Sequence, residues 1–228
     1  MSIDFTLIFY SIGIPFIYLW FLYGFSKKNL FEISDLVKAV FLGFISTIFT
    51  TYSYAAFPVD WYDLDVFQQY FYQVAVREEV SKFLAFLLLI NFSIKRKLKP
   101  LALMYLCGIV GFGFGVQENM IYYHRYGIET LLVRNFSSLL AHTIFGMFTG
   151  YWFALGQSKL KELNINYLKK VQPYFYTTIG LVSSIMFHGL WNYNLGTSGW
   201  AADSIMYLMM IIGFLIISIY NNNLKNIK

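Results

Sequence analysis

Long apolar runs alternate along this chain with short polar stretches. Seven such runs lie at approximately 5–25, 37–57, 67–93, 101–123, 131–156, 174–195 and 202–220. Each approaches the ~20 residues that a helix needs to cross the hydrocarbon layer of a bilayer. The third is longer and begins amphipathically, so its first turns are expected in the interface or in a tilted helix. No repeat, low-complexity tract or hydrophilic linker divides the chain, which reads as one domain over 1–228, with its chemistry-bearing helices at about 67–195. The first run reads as a retained helix rather than a signal peptide. No Lys or Arg precedes it, while Lys27 and Lys28 follow it.

Composition strengthens this pattern. Of 228 residues, 58% are apolar and 13% charged, with a mean hydropathy of +0.55. A soluble domain carries about 25% charged residues, so an all-α membrane protein with about seven transmembrane helices is expected. Cytoplasmic loops accumulate Lys and Arg. Here Lys27, Lys28 and Lys38, then Lys95, Arg96, Lys97 and Lys99, then Lys159, Lys161, Lys169 and Lys170 fill alternate loops, and Lys225 and Lys228 close the chain. The opposite loops carry Asp60, Asp63, Asp65, Glu129 and Asp203, with Arg125 the one clear base. The expected N-terminus is therefore outside and the C-terminus cytoplasmic. The net charge of +5 follows from this topology and from lipid headgroup contact, so nucleic-acid binding is set aside. Trp61, Tyr62, Tyr122, Tyr123, Trp191 and Trp200 fall near the expected outer ends and read as interfacial anchors. Cys107 reads as a small packing residue.

Against this apolar background, a few ionisable residues fall inside the runs, where charge is costly and usually faces a bundle interior or a wet cavity. Glu78 and Glu79 lie in VREEVSKF, with Lys82 one turn beyond Glu78 on the same face. Adjacent residues on a helix point about 100° apart, so Lys82 can hold one carboxylate while the other faces substrate or water. The plainer reading is an ion-pair cluster with Arg77 and Lys82 that only locks packing. The fourth run contains GIVGFGFGVQENM, in which Gly111 and Gly115 allow close helix approach and Phe114 stands one turn before Glu118, followed by Asn119. Glu118 alone is equally readable as a carboxylate reaching the surface. In the fifth run Arg134, Ser138, His142, Gly146 and Gly150 share one slanting stripe, and in the sixth His188 and Asn192 share a face. His124 reads as interfacial. At ~1.5 Å per residue, Glu78 and His142 lie roughly 18 Å, and Glu118 and His188 roughly 10 Å, below the outer helix ends. Different helices thus deliver them to one slab, which predicts a cavity opening outward.

Histidine and carboxylate ligands suit zinc. His142, His188 and Glu118 would supply three ligands, leaving Glu78 or Glu79 as general base. In a metal-free version a Glu–His pair activates water, and His188 with Asn192 stabilises the oxyanion. Both give peptide-bond hydrolysis. A proton- or ion-coupled transporter also uses buried Glu and His, but it requires polar groups from face to face, and the inner half is apolar apart from Lys82. A non-catalytic membrane scaffold is the third reading.

The set EExxK (Glu78, Glu79, Lys82), FxxxEN (Phe114, Glu118, Asn119), an intramembrane His142 and HxxxN (His188, Asn192) resembles the PrsW family of intramembrane proteases. It is more distantly similar to the CAAX prenyl protease and bacteriocin-processing group. From that group it departs at Lys82, which replaces an Arg one position later, and at Glu118, which stands where FxxxH has its histidine. The resemblance implies a bacterial plasma-membrane protease, metalloprotease-like or glutamate-type. Its expected substrate is a single-span membrane protein, an anti-sigma factor cut first on its extracytoplasmic side. Glu78, Glu79 and His188 are then expected to be essential.

Overall fold

In the computed structural model every element is helical among the described residues, which are 5–25, 30–59, 63–94, 96–159, 166–197 and 202–225. Helices α1 (Phe5–Ile8) and α2 (Ile14–Phe25) are joined through a π turn at Phe9–Gly13, and α3 spans Ile33–Ala56. A π-helical segment, Gln68–Val76, leads into α4 (Arg77–Leu88), which ends in a second π turn at Leu89–Ser93. The remainder comprises α5 (Pro100–Tyr126), α6 (Ile128–Phe136), α7 (Ser138–Lys159), α8 (Asn166–Thr197) and α9 (Ala202–Lys225).

Five helical stretches are long and apolar enough to cross a membrane by length and composition: Phe5–Gly24, Ile33–Ala56, Pro100–Tyr126, Ile128–Ser158 and Ser204–Lys225. The third and sixth expected runs are continuous helix as well, but their polar side chains lower their hydropathy. In the third those residues are Arg77, Glu78, Glu79 and Lys82. Phe16, Trp20, Phe41, Phe92, Phe175 and Leu215 all point outward. An apolar exterior of this kind suits lipid rather than water.

Local chemistry moves several boundaries from where periodicity alone puts them. Helix α3 starts at Ile33 rather than 37 because Glu32 and Asp35 form a reciprocal capping box and Arg96 pairs with the buried Asp35. Pro100 opens α5 at a first-turn position, where its missing N–H costs nothing. Gly127, at φ 86°, closes that helix in a conformation open to glycine. The fifth run is broken at Ser137, whose φ/ψ of −124°/−78° separate α6 from α7. The stripe from Arg134 to Gly150 therefore bends between Arg134 and Ser138. The π-helical segments have no signature in hydrophobic periodicity.

Helix α5 is the axis of the bundle: 78% of its apolar window is buried, against 11% for the first helix. Glycines on two of its faces make this possible. A Cβ at Gly111 would strike the carbonyl of His142, and one at Gly146 would lie 2.6 Å from the carbonyl of Cys107. On the other face, Gly43 of α3 and Gly113 of α5 each abut the partner backbone. Backbones meet where side chains are absent, the usual solution for helix packing in a membrane. Cys107 is buried at the α5–α7 crossing as a packing residue. A core of α3, α4, α5 and α7 residues forms around Phe86, Met104, Leu106 and Ile109, and a second core joins α7, α8 and α9 around Phe148, Trp191 and Met210.

These crossings predict that Gly146→Val will destabilise the bundle by about 1–3 kcal/mol, the usual cost of overpacking. Gly24→Ala, with nothing within 4 Å of the added atom, will cost nothing measurable. Thermal unfolding of the purified variants in detergent checks both. Equal stabilities would refute the tight α5–α7 crossing.

Candidate active site

Helix α4 sends its two adjacent carboxylates to different tasks. Glu79 is saturated: Oε1 accepts from Lys82 Nζ at 2.6 Å and from His188 Nδ1 at 2.7 Å, and Oε2 accepts from the Ser184 hydroxyl at 2.6 Å. Glu78 is not. Its Oε2 is buried without a hydrogen-bond partner among the described residues, 3.9 Å from Lys82 Nζ and 3.7 Å from His188 Nε2. Lys82 can reach either carboxylate by spacing, and it meets Glu78 only as the longer ion pair. The shorter bond is to Glu79 at i,i+3, because the ammonium sits on the side where His188 and Ser184 already converge. Arg77 takes no part in this cluster, since its guanidinium donates to the carbonyls of Ser53 and Phe57 at 2.9 and 2.7 Å.

Helices α5 and α7 bring the second pair. His142 Nε2 lies 2.8 Å from Glu118 Oε2, and that oxygen also receives Arg134 from α6. Glu118 therefore does not reach the surface on its own; a guanidinium and an imidazole hold it. Lys82 Nζ stands 3.1 Å from His142 Nδ1 and 4.5 Å above the Phe114 ring, whose centroid is 5.3 Å from that of His142. The rings of His142 and His188 are 5.2 Å apart and nearly perpendicular, with Phe145 stacked on His188. Ammonium, carboxylates and imidazoles are thus packed inside an aromatic sleeve that excludes lipid.

The proton positions follow from what each partner can do. A carboxylate only accepts and an ammonium only donates. His188 consequently carries its proton on Nδ1, toward Glu79, which turns the Nε2 lone pair toward Glu78. Two acceptors then face each other at 3.7 Å. Three carboxylates (Glu78, Glu79, Glu118) against two fixed cations (Lys82, Arg134) leave one negative charge over. A proton or a metal ion between Glu78 and His188 resolves both problems, and a water bridges the two acceptors without changing the charge.

This arrangement fits a metal. Glu78, His142 and His188 each offer a ligand atom, and these atoms lie within 4.8 Å of one another. Two ligands on a tetrahedral zinc stand ~3.3 Å apart. The expected set of His142, His188 and Glu118 changes accordingly: Glu78 converges with the imidazoles, while Glu118 sits behind His142 and is occupied by Arg134. Glu79 behind His188 and Glu118 behind His142 stand where outer carboxylates would orient the imidazoles if they held a metal.

A cavity of about 490 Å³ opens beside the cluster, with Glu78, Glu118, His142, His188, Asn192 and Tyr54 on its wall. Its rim includes Tyr122, Arg125 and Gly196, at the ends of α5 and α8 that the charge pattern assigns to the outside. Asn192 is half-buried there, one turn beyond His188. Asn119 lies behind, bonded to Arg134 and Asn135. His124 is exposed and does not join the cluster.

One aromatic expectation is corrected, and a second aromatic residue has an added contact. Trp191 is 3% exposed and packs against Phe145, Met206 and Met210 rather than anchoring in the interface. Tyr122 stacks under the Arg134 guanidinium, 3.8 Å from ring centroid to the charge, and lines the cavity. Trp61, Tyr62 and Trp200 lie outside the described residues. Sequence reasoning passed over Ser184, although its spacing of four from His188 and eight from Asn192 marks the same helical face. Arg134 stood in the stripe of the fifth run without a role.

Comparisons with known proteins identify the family. A sequence profile described as PrsW family intramembrane metalloprotease matches residues 33–218. The Protease PrsW of Shouchella clausii (strain KSM-K16) is 30% identical over 107 residues, 47% of this chain and 45% of that protein. The Protease PrsW of Oceanobacillus iheyensis (strain DSM 14371 / CIP 107618 / JCM 11309 / KCTC 3954 / HTE831) is 26% identical over 155 residues, 68% of this chain and 66% of that protein. The chain thus spans about half of the first relative's length and just under two thirds of the second's. No solved structure matches. With its apolar helices, the protein is a multi-pass bacterial membrane protein. From the matched profile over most of its length, the chain belongs to the PrsW family of intramembrane metalloproteases.

Proposed function

We propose that the protein is a membrane-embedded endopeptidase in which Glu78 and His188 Nε2 hold the reacting water between them. One observation carries this reading: a buried carboxylate oxygen without a partner faces an imidazole lone pair at 3.7 Å on the wall of a cavity. A structural ion-pair cluster has no use for such an orphan, because unsatisfied buried acceptors destabilise. Glu79, by contrast, is a positioning residue that fixes His188 and Lys82.

Each side chain then has a task. The substrate peptide lies in the cavity, with its scissile carbonyl toward Glu78. Asn192, on the cavity wall one turn beyond His188, is the side chain that would donate to the oxyanion and stabilise it. Glu78 takes the proton of the attacking water and passes it to the departing amine. Phe114 and Phe145 exclude lipid and solvent, which strengthens every electrostatic contact inside. Zinc is the proposed cofactor of a metal-bound form, in which Glu78, His142 and His188 would hold the ion and Glu78 would serve as ligand in place of base; the ion would supply a Lewis acid and lower the pKa of its water toward neutrality. The metal-free reading keeps one observation of its own: both nitrogens of His142 already have partners, Lys82 on Nδ1 and Glu118 on Nε2.

The proposal extends to topology and substrate. All seven apolar runs cross the membrane as one domain, N-terminus outside and C-terminus cytoplasmic, and the cavity opens extracytoplasmically. The substrate class is a single-span membrane protein, and the motif resemblance supports an anti-sigma factor cut near its outer end.

With a tagged single-span anti-sigma reporter, Glu78→Gln and His188→Ala are expected to lower cleavage by at least about 10²-fold, with protein yield retained. Unchanged cleavage by both variants would refute the protease reading. Prolonged treatment with a strong chelator is expected to abolish cleavage, and stoichiometric zinc to restore it. Full activity after complete metal removal would eliminate zinc and leave the glutamate mechanism.

A further inference from the structure

Arg134 has no part in the chemistry just described, yet it is tied down in every direction. From α6 its Nη2 reaches Glu118 Oε2 and, at 2.9 Å, Ser138 Oγ, while its Nε donates to Asn119 Oδ1 at 2.9 Å. Tyr122 closes the remaining face of the guanidinium plane. A planar fork with fixed N–H directions fits such a set, and a lysine does not.

The contacts continue in both directions. Inward, Glu118 Oε2 takes the Nε2 proton of His142, and Lys82, a pure donor, faces Nδ1. Both neighbours demand the same tautomer: proton on Nε2, lone pair on Nδ1 directed at the interior of the cluster. The opposite tautomer would set an N–H against an ammonium and a lone pair against a carboxylate. Outward, Asn135 Oδ1 accepts from Asn119 at 3.1 Å, and Asn135 Nδ2 donates at 2.6 Å to the backbone carbonyl of Tyr10. Asn119 and Asn135 are each 1% exposed. Tyr10 lies in the π turn Phe9–Gly13, where the helical ladder is distorted and one carbonyl turns to a neighbour. That turn belongs to the first helix, outside the family-matched residues 33–218 and largely exposed to lipid.

We infer that Arg134 is a positioning residue that acts through Glu118 to hold His142 as the Nε2–H tautomer, and that Asn119 and Asn135 couple this hold to the first helix. The two imidazoles are thus set in opposite senses by two carboxylates, His188 by Glu79 and His142 by Glu118, so that both lone pairs point inward. Metal binding by the Nδ1 lone pair, which would have to displace the Lys82 ammonium, rests on the protease reading. The tautomer itself does not.

The sequence holds 3 histidines, so the ring ¹⁵N spectrum of the histidine-labelled, metal-free full chain in lipid nanodiscs is assignable with His142→Gln and His188→Gln. The expected wild-type spectrum has a bare Nδ1 on His142 and a bare Nε2 on His188. Arg134→Gln and Arg134→Lys are both expected to give His142 a mixture of tautomers and to leave His188 unchanged. Asn135→Leu is expected to give a smaller change of the same kind. With the reporter, Arg134→Lys is expected to lower kcat about 10–100-fold with KM within about twofold. A wild-type His142 protonated on Nδ1, or an unaltered His142 tautomer in both Arg134 variants, would overturn the inference. An unaltered tautomer in Asn135→Leu would remove the link to the first helix. Tautomers as expected, with reporter cleavage unaltered in both Glu78→Gln and His188→Ala, would refute the protease reading and leave the hold of Arg134 on His142 standing.

Discussion

A buried ammonium dictates most of this structure. Lys82 is 3% exposed in the middle of a helix that crosses an apolar bundle, and such a charge persists only with close compensation. Glu79 supplies that compensation at 2.6 Å. It also receives His188 and Ser184, so its lone pairs are spent. Consequently the neighbouring Glu78, turned about 100° away on the helix, is released from structural duty and faces the cavity. One adjacent pair of carboxylates is thereby divided into an anchor and, in the proposed mechanism, a reacting group by their positions relative to a single lysine.

The rest of the bundle delivers partners to that lysine. Helix α5 brings Phe114 and Glu118 close only because Gly111, Gly113 and Gly115 let α3 and α7 approach its backbone. The same crossing sets His142 against Gly111 and Gly115, with the imidazole between Lys82 and Glu118. Helix α8 closes the cluster with Ser184, His188 and Asn192 from three successive turns of one face. The small residues and the charged residues are therefore one design. Glycine brings the backbones together, and the resulting proximity keeps the buried charges paired.

The parts legible in sequence are those that depend on spacing along a single helix. The apolar runs, the shared faces of His188 with Asn192 and of Gly111 with Gly115, and the anomaly of Glu78, Glu79, Glu118, His142 and His188 all belong to this class. Which carboxylate Lys82 prefers was not legible, because His188 and Ser184 decide it from a helix about a hundred residues away. The same applies to Glu118, which looks like a surface carboxylate until Arg134 arrives from α6. Trp191 reads as an interfacial anchor from its place near a helix end, and only the packing of α9 buries it. The break at Ser137 and the π turns are backbone events with no periodic signature, yet they aim Arg134 and Tyr10 at the site.

The central claim is that Glu78 Oε2 and His188 Nε2 face one another across a gap that requires a third partner. An experimental density map of the full chain in lipid, at a resolution that shows ordered solvent, tests it directly. The account predicts a peak, water or metal, within bonding reach of both atoms and open to the cavity. A map in which Glu78 is instead bonded to Lys82 or another side chain, with no peak beside His188 Nε2, would contradict it.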